Sequence, residues 1–168
     1  MTPLPAAFGG TGIMAWRIDS ARFAAAWDSG EGAFRSGGRW NAPGRRVVYC
    51  ALDPATAILE VAVHKGFATL DTVPHVMSAI DITDTTGVHV VWPGSVPNPN
   101  WLSPGTASAG QQAFGNDLVA RHKLVLVPSV VSTNSWNLMF DPARASGAVA
   151  LNNQQNFALD PRLHPPVP

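Results

Sequence analysis

Within GGRWNAPGRRVVYCALDPATAILEVAVHK, residues 37–65, three side chains differ in kind from the apolar and turn residues around them: Arg39, Tyr49 and Glu60. A guanidinium binds phosphate as a planar fork, a phenol stacks on a flat heterocycle, and a carboxylate stabilises a developing cation or directs a nucleophile. As a set they suit a nucleotide-sugar substrate. Cys50 follows Tyr49 in an apolar run, so on a strand it points the other way and reads as a small core residue, not a nucleophile. His64, His75, His89, His122 and His164 fall at no metal-ligand spacing, and neither a structural nor a catalytic metal is expected. No glycine-rich phosphate fingerprint lies between a strand and a helix, so a nucleotide would be held without one.

These residues need elements to position them. Asp53 as N-cap, Pro54 at the first helical position and Lys65-Gly66 at the end delimit a helix that carries Glu60 at its middle. Ala57, Ile58, Leu59, Val61, Ala62 and Val63 leave only Thr56, Glu60 and His64 as a polar line at four-residue spacing. By helical pattern alone that line is a solvated stripe, with a Glu60–His64 pair contributing a few tenths of a kcal/mol; its alternative is a line facing a cleft. Val47 to Ala51 reads as a buried strand carrying Tyr49, and Ile13 to Ile18 as a first strand with Trp16 and Arg17 on opposite faces. Asp19 or Ser20 then caps a short helix through Phe23 to Trp27.

The glycine-dense SGEGAFRSGG reads as irregular, and Val73 to Ile82 as a strand answered through the turn DTTG by Gly87 to Trp92 beside it. WPGSVPNPNWLSPG must be a loop, of a length suited to a lid or a partner-binding surface. Thr106 is placed to cap a second helix with Phe114, Leu118 and Val119 turned inward. Leu124 to Val127 forms a strand with Ser129 just past its end, and Asn137 to Phe140 a short partner strand. This irregular alternation favours α+β over a doubly wound sheet.

A chain of 168 residues, 46% of them hydrophobic, supports one core and one domain. Eleven basic and eleven acidic residues give a formal net charge of +0, which speaks against direct nucleic-acid binding, and no basic amphipathic stretch suggests a membrane surface. No apolar run reaches the roughly eighteen residues of a membrane span, no leader-like start occurs, and a lone cysteine fits a reducing compartment, so a cytoplasmic location is expected. The Pro- and Gly-rich ends, residues 1–12 and 164–168, are expected to be a loosely ordered arm and tail.

Taken in order, Trp16-Arg17-Ile18, Gly38-Arg39-Trp40-Asn41, Gly44, Val47-Val48-Tyr49, Ala57-Ile58-Leu59-Glu60, Val127-Pro128-Ser129, Asn137 and Asp160-Pro161-Arg162-Leu163 resemble the RES domain. That family is named for an Arg, a Glu and a Ser, matched here by Arg39, Glu60 and Ser129, and the domain would span residues 13–163. The resemblance implies an α+β fold like that of ADP-ribosyltransferase toxins, with mixed or antiparallel sheets flanked by helices. It implies the toxin of a bacterial toxin–antitoxin pair, an enzyme that cleaves the nicotinamide–ribose bond of NAD with water or phosphate as acceptor. Transfer of ADP-ribose to a protein is the alternative, and a non-enzymatic interaction domain the third reading.

On the family reading, Glu60 would stabilise an oxocarbenium-like ribose, Arg39 and Arg17 would bind the pyrophosphate, and Tyr49 would stack on nicotinamide. Ser129 would bind the nicotinamide ribose or orient the incoming group, with Asn137 assisting from the next strand. NAD is then substrate, with no further cofactor and no metal. The implied partner is a helix-turn-helix antitoxin that occludes the active site, and a homodimer is the oligomer the resemblance favours.

Overall fold

In the computed structural model, which describes residues 6–105 and 107–163, the described residues form seven strands, most of them apolar runs. These are β1 (Met14–Ser20), β2 (Val48–Ala51), β3 (His75–Ile82), β4 (Val88–Val90), β5 (Leu124–Pro128), β6 (Trp136–Phe140) and β7 (Val149–Phe157). They make one sheet in the order β4-β5-β6-β2-β1-β3-β7, with β4 and β5 parallel and every other neighbouring pair antiparallel. Four α-helices accompany them: α1 (Glu31–Ser36), α2 (Pro54–Lys65), α3 (Phe67–Thr72) and α4 (Ala109–Arg121). The architecture is the expected α+β arrangement with a mixed sheet.

Register decides what shares a face. Ala51 pairs with both Trp16 and Asn137, while Met139 pairs with both Tyr49 and Val125. Directly opposed residues project the same way, so Trp16, Tyr49, Ala51, Asn137 and Met139 stand on one face. Helices α2 and α4 cover that face, α2 through Ala57 and Ala62 against Trp16, Ala51 and Met77, α4 through Leu118 and Val119 against Val125, Val127 and Met139. The other face carries Ala15, Val48, Cys50, Ile80, Leu124, Leu138 and Phe140, packed with Trp27, Ala145 and Ala148 from connecting segments. Cys50 is buried there, and burial pushes its thiol up to about 12.

Several expectations need correction. The glycine-dense segment contains α1: Gly30 (φ 62°) and Gly37 (φ 70°) take left-handed conformations at its two ends, so the glycines bound a helix instead of preventing one. Strand β4 does not return beside β3; it crosses to the far edge and pairs with β5. A three-residue strand has little pattern of its own, and its partner is chosen by long-range packing. The cap of α4 is Ser108, whose hydroxyl accepts from the Gln111 amide at 3.2 Å, while Thr106 lies outside the described residues. After β1 the chain makes a 3-10 helix, Ala21–Ala26, with Ser20 at its N-cap but no side-chain cap bond. Helix α3 and strand β7 had no counterpart in the sequence reading.

The α2 boundaries match the sequence reading. Asp53 Oδ1 accepts from the Thr56 amide at 2.7 Å, and Gly66 ends the helix with φ 82°. Among the described residues no helix is long and apolar enough to cross a membrane. The expected terminal arms fall partly on residues 1–5 and 164–168, outside those described, and Ala6–Phe8 forms a single 3-10 turn.

Candidate active site

Glu60 projects from α2 towards the ends of β5 and β6. Its Oε1 accepts from the Ser129 hydroxyl at 2.9 Å and from Asn137 Nδ2 at 2.5 Å. The polar line on α2 is therefore not a solvated stripe. Thr56, one turn earlier, meets Ser135 Oγ at 2.9 Å, and Ser135 donates to Asp53 Oδ2 at 2.6 Å, tying the start of α2 to the β5–β6 connection. Burial works against the Asp53 carboxylate, but the hydrogen bonds from Ser135 and Thr56 outweigh it and hold the group below its usual range. Only His64, a turn past Glu60, is exposed.

Ser129 is fully buried. Its amide donates to Ser135 O at 3.0 Å and its hydroxyl accepts from the Ser132 amide at 3.0 Å, so the hydroxyl proton is committed to Glu60. Asn137 Oδ1, by contrast, is buried with no partner. One acceptor beside the carboxylate thus has its hydrogen-bonding capacity unspent.

Tyr49 stands on the same face as Asn137, two residue pairs along the β2–β6 ladder. Its hydroxyl donates to Asn41 Oδ1 at 2.7 Å, and burial pushes the phenol well above its ordinary value. Asn41 is wholly buried, and its Nδ2 donates to the carbonyls of Ala33, Ala42 and Arg45. One amide thereby folds the turn and fixes the tyrosine. Gly38 completes the seat, since a Cβ there would stand 2.9 Å from Asn41 Oδ1 and 3.1 Å from the Tyr49 hydroxyl. Neither role was visible in the sequence; Asn41 drew notice only as part of the ordered motif.

Arg39 lies in this same turn, half-buried, and reaches across to the Pro-rich loop. Its Nη1 donates to Trp101 O at 3.0 Å and Ser103 O at 3.2 Å, and its Nη2 to Gly105 O at 3.3 Å. Those acceptors are all neutral, and no ion pair among the described residues includes Arg39. The turn is held by α4, where Gln112 Nε2 donates to Gly38 O at 2.9 Å. Gly115 lets that helix rest on the Trp40 backbone, because a Cβ at Gly115 would come within 2.0 Å of Trp40 O.

Arg17 is not brought to this face. Strand alternation sends it to the opposite face from Trp16, where it forms a two-pronged ion pair with Asp19 (2.6 and 2.7 Å) and donates to Tyr49 O at 2.8 Å. Burial opposes its charge, and the neighbouring Asp19 carboxylate more than restores it, leaving the guanidinium raised above its ordinary value. The structure thus gathers Glu60, Ser129, Asn137 and Tyr49 on one face, sets Arg39 in the turn that seats Tyr49, and leaves Arg17 bracing β1 and β2 from behind.

A single mixed sheet with a carboxylate held between a helix and two strand ends makes this an α+β domain with one candidate active site. Residues 14–160 match the RES domain, and the chain belongs to that family. It is 32% identical over 156 residues to "Toxin Res" of Yersinia enterocolitica, covering 90% of this chain and 99% of that protein. It is also 32% identical over 155 residues to the "Prs ADP-ribosylating toxin" of a Sphingobium species, covering 88% and 94%. In fold it resembles a chain of the M. tuberculosis MbcT–MbcA toxin–antitoxin complex, with TM-score 0.71 and 23% identity over 88% of this chain and 85% of that one.

Proposed function

We propose that this chain is a toxin that consumes NAD by breaking the nicotinamide–ribose bond. The observation that carries the reading is the Glu60 carboxylate, held through Oε1 by Ser129 and Asn137 on the sheet face that also bears Tyr49. In NAD the nicotinamide is a cationic leaving group, so it departs as a neutral molecule without needing a proton. Positive charge then develops on the ribose, and a fixed carboxylate stabilises it. Tyr49 would stack on the departing ring, and Asn137 Oδ1 would accept from the carboxamide or a ribose hydroxyl. Arg39 would exchange its neutral carbonyl partners for the pyrophosphate, a stronger acceptor for a guanidinium fork.

Water at the anomeric carbon gives ADP-ribose, nicotinamide and a proton; phosphate gives the phosphorylated sugar instead. The Toxin Res relatives support the toxin role, and the toxin–antitoxin neighbour supports an antitoxin partner, which in this reading covers the active site. A helix-turn-helix antitoxin and a cytoplasmic setting complete this reading. The name of the Sphingobium relative favours a second reading, ADP-ribose transfer to a protein from the same site. Incubating the pure chain with NAD, with and without phosphate, and identifying the sugar product tests both. We expect free nicotinamide with a matching sugar product; nicotinamide release only when a target protein is added establishes transfer, and intact NAD under every condition overturns both readings.

A further inference from the structure

Two carboxylates of α2 bond to the β5–β6 connection, residues 129–135: Glu60 through Ser129 and Asp53 through Ser135. Asp53, the N-cap, lies about two turns before Glu60 at 3.6 residues per turn, and therefore on the same side of the helix. Its two oxygens serve different partners. Oδ1 accepts from the Thr56 amide at 2.7 Å, which is the capping bond. Oδ2 accepts from the Ser135 hydroxyl at 2.6 Å and the Thr56 hydroxyl at 2.7 Å, and Thr56 Oγ1 lies 2.9 Å from Ser135 Oγ, closing a triangle. A cap needs only one acceptor, so the second oxygen serves to hold the connection.

Ser135 stands between the two donors that meet Glu60. Its carbonyl accepts from the Ser129 amide at 3.0 Å, and its amide donates to Ser132 O at 2.8 Å. The Ser132 amide returns to Ser129 Oγ at 3.0 Å, the same hydroxyl that donates to Glu60. Two residues after Ser135, Asn137 supplies the other donor. Between them Trp136 O accepts from the amide of Leu52, the residue before Asp53, at 3.0 Å. We propose that Asp53 is a positioning residue: through Ser135 it fixes the connection that aims Ser129 and Asn137 at Glu60. The role rests on the NAD reading above, in which the Glu60 carboxylate must meet the ribose in one orientation. Bonds at Asp53 and Glu60 pin α2 to the connection at two points, whereas a single bond leaves the helix able to roll about it. Stabilising a transition state depends on that fixed orientation more than binding does.

Asp53→Asn separates the two duties, because asparagine caps a helix as well as aspartate does but places an N–H donor where Oδ2 accepted. The expected result is a kcat for NAD consumption about tenfold lower with KM within twofold, and the same for Ser135→Ala. Combined with Ser129→Ala, Asp53→Asn should lower kcat by less than the product of the separate losses, since both changes act through one hydroxyl. A kcat within twofold of the original, a KM that rises as kcat falls, or losses that multiply each overturn the role. Glu31 and Glu60 are the only glutamates, so carboxyl-labelled glutamate gives two carboxylate carbon signals by NMR, Glu60 being the one lost in Glu60→Gln. Asp53→Asn should move the Glu60 signal and leave that of Glu31 in place. This measurement needs no NAD: intact NAD in the turnover assay removes the enzymatic reading, whereas an unmoved Glu60 signal removes the hold of Asp53 on Glu60 whatever reaction the site performs.

Discussion

The settings of Glu60 and Arg39 are built differently. Glu60 stands on a twelve-residue helix and is held by side chains from a strand and a strand end, of which Ser129 is fixed by a further bond from the Ser132 amide. Arg39 stands in a turn and is held by backbone carbonyls of a loop more than sixty positions away. The acid is therefore immobilised before any ligand arrives, as electrostatic stabilisation of a transition state demands. The cation is parked on neutral acceptors that a phosphate can replace, which suits binding more than chemistry. On the proposed reading, one side is set for the reaction and the other for capture.

That contrast can be broken at either side. Glu60→Gln keeps the shape but removes the charge, and should lower kcat for NAD consumption by about a hundred- to a thousandfold with little change in Tm; a rate within a few-fold of the original would remove the carboxylate from the mechanism. Arg39→Lys keeps the charge but loses the fork. It should reduce kcat/KM by roughly ten- to a hundredfold, mainly through KM, and hydrogen exchange should quicken in residues 101–105, whereas unchanged KM and protection would show the fork to be idle.

Ser129→Ala sharpens the picture of the rigid side, because it strips a donor from Glu60 and an acceptor from the Ser132 amide. A loss of about 1–3 kcal/mol in denaturant stability is expected with a kcat drop of about tenfold. Arg17→Met should do least to turnover. Molecules that stay folded should show kcat and KM within twofold, while stability falls as Asp19 loses its partner; a tenfold rise in KM would mean that Arg17 reaches substrate after all.

Legibility in the sequence followed the range of the interactions. Helix α2 could be read because Asp53, Pro54 and Gly66 act within a turn of themselves, and Glu60 stood out as a charge on an apolar helix. Which way Glu60 faced was not legible, since Ser129 and Asn137 lie 69 and 77 positions away. The ordered motif named both as site residues where periodicity could not, but not as the groups that hold Glu60. Strand β7 escaped notice because its run NNQQN has no apolar alternation; it is exposed along nearly its whole length and forms by pairing with β3. Gly115 reads as a weak helix residue, and its reason, contact with the Trp40 backbone, exists only in three dimensions. Arg17 was correctly placed opposite Trp16 by the period of two, but that same alternation removes it from the face that bears Glu60's partners.

Tyr49 is the only tyrosine in the chain, and its phenol is raised by burial. In the unfolded chain the phenol ionises near pH 10, roughly the free value. Below that point both states keep the proton; above it the unfolded chain releases the proton first, so alkali draws the equilibrium towards unfolding. Phenolate absorbance should accordingly appear together with the loss of tertiary structure and not before it, making this one chromophore an intrinsic gauge of whether the site is intact.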